Sequence, residues 1–384
     1  MDFVLSEEQG MLEDSLRRLM ADQWTFSARR TRHAAGGLDR AAWAALAEVG
    51  VLGLTIAADY EGFGEDPASL LPVHRALGAA LVSEPVIASG VAAATLLRLA
   101  AENESNTCQA HAQSAASALL PAIASGSVIA TLAYQEPHRR YARQAREMRA
   151  ESVEDGYWLT GIKTLVWHGA AASAWLVTAL LDDGTQGVFV VDRTTPGSDR
   201  VKVDDTPTID LSRCATLAFD GLLLPHHALI AQGTAASEAL DGALDWGVAA
   251  LCAHAAGAIE SLVSSTADYL KTRQQFGQPL AQFQALQHRL AEMLIAQEMA
   301  LSMAYVAVAA LTVDDPRRRR QRVASAKLEV GRRGREVGQL AVQLHGGMGM
   351  TDELAVGDYF KRLVAIDLLW GDAQDQLSTL EGML

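Results

Sequence analysis

The sequence predicts an α+β chain in which helices come first, a small β-domain second and helices again last. Two patterns carry this reading. Apolar residues recur at near-helical spacing through the first third and again after Gln232. Between them the chain breaks into short β-branched and aromatic runs set apart by Gly, Asp and Ser turns. The composition agrees: 384 residues, 49% hydrophobic and 20% charged, are ordinary for a soluble globular chain with a sizeable core. The expected domains are 1–121 (helical), 122–232 (a compact β-sandwich or β-barrel) and 233–384 (helical).

In the first part, Ser6-Glu7-Glu8 has helix-start chemistry, and Val4, Leu5, Met11, Leu12, Leu16 and Leu19 follow at near-helical spacing. AAWAALAEVGVLGL and ASLLPVHRALGAALV continue the pattern, with Gly62-Phe63-Gly64 as a turn between them. The strand runs are SVIATLAY, GYWLTGIKTLVW, AWLVTALL, QGVFVVD and ATLAFDGLLL. An Ala-rich helical segment then runs to Arg273, a second follows from AQFQALQHRL, and Asp314-Asp315-Pro316 marks a helix connection before the third. Arg317 to Arg320 read as a solvated face.

A net charge of −14 argues against a general binder of nucleic acid or anionic membranes. No run of 18 or more apolar residues suggests membrane insertion, and the acidic, amphipathic N-terminus lacks the features of a signal peptide. Cys108, Cys214 and Cys252 lie far apart without CxxC spacing, which gives no zinc site or disulfide framework and fits a reducing cytoplasm. Cys252, in an apolar run, reads as a core thiol.

Two stretches carry chemistry. The first is Arg273-Gln274-Gln275-Phe276-Gly277 with Phe283-Gln284. The second is Gln343-Leu344-His345-Gly346-Gly347, running on to Leu369-Trp370-Gly371-Asp372. An arginine offers a fixed charge and a planar fork for phosphate. An aromatic side chain flanks a ring, and paired glycines let the backbone approach an anion. These are the needs of a flavin dinucleotide.

Together these motifs resemble the acyl-CoA dehydrogenase family, and the resemblance runs nearly the whole chain, from LSEEQ to the end. It implies an N-terminal helical domain, a central β-domain and a C-terminal four-helix bundle, with FAD between the last two. Carried over position by position, Arg273, Phe276, Phe283, Gln284, Gln343, Gly346, Gly347, Asp372 and Gln374 become FAD contacts, reaching the flavin of a neighbouring subunit. The implied reaction is α,β-dehydrogenation of an acyl-CoA. The α-proton goes to a carboxylate, the β-hydride to the flavin, and the electrons onward to an electron-transfer flavoprotein.

The departures are as informative. Trp370 stands where the family places its catalytic glutamate, and the alternative base position on the helix before RQQFG holds Gly247. Val248 follows, where the family often has Arg. Asp245 is the nearest acid, about 200° around a helix from Gly247. Asp367 reads as a surface or interface contact. In the β-domain, Tyr134-Gln135-Glu136-Pro137 leads into His138-Arg139-Arg140, where small residues are usual. In Lys163-Thr164-Leu165-Val166-Trp167-His168-Gly169, Leu165 replaces the usual Trp and Trp167 the usual Thr. Trp167 is expected to fill ring space, with His168 near the flavin face. His254, His288 and His345 read as packing residues.

Within the family the chain looks most like the small subunits of bacterial two-subunit acyl-CoA dehydrogenases, of the pimeloyl-CoA dehydrogenase small-subunit type. Related pairs act on steroid side-chain CoA esters. That likeness implies an α2β2 heterotetramer in which a homologous large subunit supplies the base and most of the acyl pocket. Two alternatives stay open: a self-sufficient homodimer with a displaced base such as Asp245, and a flavin-free scaffold or acyl-binding homologue.

Overall fold

The computed structural model describes residues 7–36 and 38–383. The Ser6 helix start and the apolar positions Val4 and Leu5 lie outside the described residues.

The first part is helical. α1 (Glu7–Gln23) buries Leu16, Met20 and, just beyond its end, Trp24. α2 is Phe26–Ala35 and α3 is Arg40–Glu48. Asp39 caps α3, its carboxylate accepting from Ala41 N and Ala42 N. α4 (Leu70–Ala79) is buried along most of its length. A π-helical segment, Ile87–Ala93, is wholly buried and leads into α5 (Ala94–Glu102) and then α6 (Gln109–Ala124).

The strands are β1 (Ala130–Ala133), β2 (Arg149–Val153), β3 (Gly156–Trp167), β4 (Ala174–Leu181), β5 (Gln186–Asp192), β6 (Val201–Pro207), β7 (Arg213–Leu224) and β8 (Leu229–Gln232). They form one sheet in the order β6-β7-β3-β2-β4-β5-β8, with β1 parallel to β4. β2 joins the two halves, antiparallel to β3 and parallel to β4. Against β7, β3 carries one extra residue between Lys163 and Val166. Leu165 takes it up at φ 51° and is pushed outward to 55% exposure, as a bulge requires.

A buried ion pair ties the sheet together. Lys163, fully buried, donates to Tyr134 O, Thr178 Oγ1 and Glu136 Oε1 at 3.0–3.1 Å. The Glu136 carboxylate also accepts from the backbone N–H of Arg146, Glu147 and Met148. Burial lowers the lysine to about 8 against the pull of Glu136. Burial would raise Glu136, but Lys163 and the backbone donors hold it below its usual range.

The last part is α7 (Gly233–Thr272), a two-stranded hairpin of β9 (Gln274–Gln275) and β10 (Gln278–Pro279), α8 (Gln284–Ala310), α9 (Pro316–His345), α10 (Val356–Leu368) and α11 (Ala373–Glu381). Asp315 caps α9 and Pro316 takes its first turn, where a missing N–H costs nothing. α7 and α8 are long and apolar enough to cross a membrane by length and composition alone. The apolar window of α7 is 83% buried inside the protein; that of α8 is 39% buried. The α+β order of helices, sheet, helices is as the sequence predicts.

By compactness the chain divides into two units. One gathers the described residues of Met1–Ala34, Pro67–Ser83 and Val248–Leu384; the other gathers those of Ala35–Asp66 and Glu84–Gly247. In the first, α4 crosses α7 at backbone contact. A Cβ on Gly78 would lie 1.9 Å from His254 O, and one on Gly257 1.9 Å from Arg75 O. The crossing is locked by Arg75, paired with Glu260 at 2.7 and 2.9 Å. In the second unit the π-helical segment packs on β1, and Ser89 Oγ accepts from Ala130 N at 3.1 Å.

Candidate functional site

The RQQFG motif forms the turn of the β9–β10 hairpin. Phe276 and Gly277 have φ of 54° and 81°, the positive pair that a tight two-residue hairpin demands. Glycine takes this conformation freely; phenylalanine does not. Phe276 is moreover 90% exposed, with its ring edge-on to Phe283 at 6.1 Å. A large apolar side chain is thus held in a strained conformation and presented to solvent, a pattern that points to function rather than packing. Arg273 and Gln284 are exposed beside it.

The QLHGG motif ends α9. Gly346 has φ 60° and ψ −139°, a region open only to glycine. Gln343, Gly346 and Gly347 are exposed, and a Cβ on either glycine would meet nothing within 4 Å. The two motifs are brought together by Tyr269, one turn before Arg273. Its ring stacks on His345 at 4.3 Å and its hydroxyl donates to His345 O at 3.4 Å. Cation, aromatic pair and glycine backbone therefore share one outward face. These groups fit the dinucleotide end of FAD: Arg273 for phosphate, Phe276 and Phe283 for a flat ring, Gly346-Gly347 for close approach.

Trp370 lies elsewhere in the same unit. It sits at φ 56° in the turn after α10, 5% exposed, followed by Gly371 at φ 122°. A Cβ on Gly371 would fall 2.1 Å from Gln376 Nε2, so the turn is closed against α11. Lys327, 1% exposed at mid-α9, donates to Asp367 O and Gly371 O, each at 3.0 Å. Burial lowers the lysine's pKa, offset in part by Cys252, Asp367, Asp372 and Asp375. At about 1.5 Å per residue, roughly 28 Å of helix separates Lys327 from Gly346. The outward motifs and the Trp370 turn therefore lie at well-separated positions along α9. Asp372 caps α11, accepting from Asp375 N at 3.0 Å, and Gln374 is exposed.

Asp367 is not the surface contact anticipated: it is 3% exposed and paired with Arg335 at 2.6 Å. A long arginine at mid-α9 reaches it, which spacing along the chain does not reveal. His288 is exposed on α8 rather than packed. His254 and His345 are buried, as is Cys252, whose thiol burial pushes up to about 12.

In the other unit, Asp245 is 1% exposed near the start of α7, with Gly247 buried two residues on. No arginine follows at Val248, but Arg143 reaches α7 from the segment between β1 and β2. Its Nη1 donates to Asp241 Oδ1 at 2.5 Å, and both Asp241 and Asp245 act on its charge. Trp167 is 2% exposed, its Nε1 3.4 Å from Ser212 Oγ and its ring 5.0 Å from that of His168. Gln135 Nε2 donates to Arg140 O and Thr164 N to Gln135 O, so these polar groups are taken up within the chain. A bulky buried indole thus stands at Trp167, where the resemblance expects a small hydroxyl residue.

Lys327 and Arg143 are the two site residues the sequence does not flag. The only trace of Arg143 is its place in the basic run after Pro137, and Lys327 lies in an unremarked stretch of α9.

Comparison with known proteins bears on the family and the fold. Residues 237–381 match the acyl-CoA dehydrogenase C-terminal domain and residues 6–107 the N-terminal domain. The short-chain-specific acyl-CoA dehydrogenase of Clostridium acetobutylicum is 26% identical over 400 residues, covering 100% of both chains. A chain in the crystal structure of the ChsE4-ChsE5 complex from Mycobacterium tuberculosis is 26% identical with a TM-score of 0.85, over 100% of this chain and 98% of that one. A chain of a variant of the Tcur3481-Tcur3483 steroid ACAD is 28% identical with a TM-score of 0.83, over 98% and 97%.

Proposed function

This chain belongs to the acyl-CoA dehydrogenase family, and we propose that it works there as the base-lacking, site-lending half of a two-subunit, FAD-dependent enzyme, of the small-subunit type. The observation that carries this reading is Phe276, strained at φ 54° and 90% exposed on a face where Arg273 and Gly346-Gly347 also point outward. Nothing among the described residues accounts for that arrangement; a neighbouring subunit's flavin would. The distance along α9 between this face and the Trp370 turn supports the same division, because what this chain lends and what it lacks serve separate sites.

FAD, when bound, supplies the hydride acceptor. Arg273 would offer its guanidinium to a pyrophosphate oxygen; Phe276 and Phe283 would shield a flat ring from water; Gly346 and Gly347 leave their approach free of side-chain obstruction. Gln284, Gln343 and Gln374 add exposed amides, and Asp372 fixes the start of α11. Trp370 has no proton-accepting group at the position of the base. A homologous large subunit would contribute the carboxylate that takes the α-proton and most of the acyl pocket, in an α2β2 assembly. Electrons would pass to an electron-transfer flavoprotein, in the cytoplasm. The two-chain assemblies named for ChsE4-ChsE5 and Tcur3481-Tcur3483 support this pairing.

The displaced-base alternative through Asp245 is weakened by Arg143, which already answers that carboxylate's charge. The test is acyl-CoA-dependent reduction of a dye acceptor by the chain alone, by the homologous large subunit alone and by the two together. Activity should need the pair and vanish when the large subunit's glutamate becomes glutamine. Turnover by the chain alone overturns the proposal.

A further inference from the structure

Tyr269 and His345 join the two outward motifs at their roots. Tyr269 lies one turn before Arg273, and its carbonyl accepts from Arg273 N at 2.8 Å. Arg273 O in turn accepts from Leu280 N at 2.8 Å, across the β9–β10 hairpin. The backbone of Arg273 is thus held at both its N–H and its C=O, and its guanidinium is placed by side-chain rotation alone. The ring of Tyr269 lies on the imidazole of His345, with centroids 4.3 Å and planes 26° apart, and its hydroxyl donates to His345 O at 3.4 Å. His345 is the last residue of α9 and immediately precedes Gly346. It is 5% exposed, and its Nδ1 donates to Ala341 O at 2.8 Å, so the ring leaves the stack only by breaking a buried bond. Burial holds the imidazole's pKa below its usual value, which keeps the stacked ring neutral at pH 7.

We propose that Tyr269 is the positioning residue of this face: its stack on His345 rivets the C-terminal ends of α7 and α9 and sets the distance between the Arg273 cation and the Gly346-Gly347 turn. A dinucleotide engages both at once only where that distance is already right. The rivet therefore works by pre-organisation, through Arg273 and the glycine turn rather than by its own contact with the ligand. His345 is the other half of the rivet, a role beyond packing. The inference rests on the lending reading for the identity of the ligand.

The experiment measures FAD release from the assembled two-subunit enzyme, by flavin fluorescence on dilution. It compares wild type with Tyr269→Leu, Tyr269→Phe, His345→Leu, Arg273→Ala and the double variant Tyr269→Leu/Arg273→Ala. Leucine keeps apolar bulk but has no ring to stack, so Tyr269→Leu should release FAD about five- to ten-fold faster. His345→Leu breaks the stack from the other side and should do the same; it carries the test if Tyr269→Leu does not fold. Tyr269→Phe keeps the ring and should stay within about two-fold of wild type. In the Arg273→Ala background, Tyr269→Leu should add less than about two-fold, because the cation it positions is gone. A merely structural role would instead add in full in both backgrounds, and that result overturns the proposal. So does release by Tyr269→Leu equal to that of wild type, or equal to that of Tyr269→Phe. If Arg273→Ala itself leaves release unchanged, the lending reading falls and the rivet with it; if Arg273→Ala speeds release and Tyr269→Leu does not, only the rivet falls.

Discussion

Lys327 holds the turn that carries Trp370: its Nζ donates to the carbonyls of Asp367 and Gly371, on either side of the indole, at 3.0 Å each. The fully buried ammonium donates to two carbonyls that would lose this donor without it. Lys327→Met should therefore destabilise the protein by about 2 kcal/mol, since lost charge-assisted bonds outweigh the relief of desolvation. Denaturant unfolding of the purified chain measures this, and an unchanged midpoint would mean that the turn holds itself.

The Trp370 turn is fixed, and its indole carries no proton-accepting group. Trp370→Phe keeps an aromatic ring in the buried site, so the assembled two-subunit enzyme should keep its kcat within about two-fold. A fall of an order of magnitude in steady-state turnover would place this indole in the chemistry and contradict its reading as a vacated base position.

Arg273 is exposed at the end of α7, so its removal should leave the chain's own melting temperature unchanged. In the assembled pair, Arg273→Ala should weaken FAD retention about ten- to a hundred-fold, the loss of one charge-assisted phosphate contact. Flavin fluorescence on dilution measures the release. Equal retention by variant and wild type would remove Arg273 from the lent face.

Much of this was legible in the sequence, for a physical reason. Periods of 3.6 and 2 are local properties, so the alternation of helix and strand shows in the residue order. RQQFG and QLHGG are legible because each gathers its chemistry within five residues. Lys327 is not: its carbonyl partners lie 40 and 44 positions away, and they accept through backbone atoms that no side chain announces. Arg143 meets an aspartate 98 positions on, across a sheet crossover. Asp367 reads as a surface acid until Arg335 is placed beside it. Sequence periodicity finds elements; pairings made by tertiary approach must be seen.

Two buried histidines should make the helical unit sensitive to acid. His74 is held down to about 3 by burial, and His254 well below its usual range by burial, Arg362 and His74. Both stay neutral when folded but bind a proton near pH 6.5 when unfolded. The unfolded state thus holds more protons below that pH, and stability falls as pH drops from about 6.5 towards 3. The loss is up to about 1.4 kcal/mol per pH unit for each histidine. His74→Asn should remove about half of the histidine slope between pH 6 and 4, leaving the part that His254 contributes. Thermal melts across that range measure it, and an unaltered slope would assign the acid sensitivity elsewhere.

The flavin-to-protein ratio, measured on the chain purified alone and then co-purified with its homologous large subunit, tests the central claim most directly. The lending account predicts a flavin-poor chain alone and about one FAD per pair of chains once the partner is present. One tightly held FAD per chain in the lone protein would contradict it, since the site facing Trp167 would then seat a flavin without help.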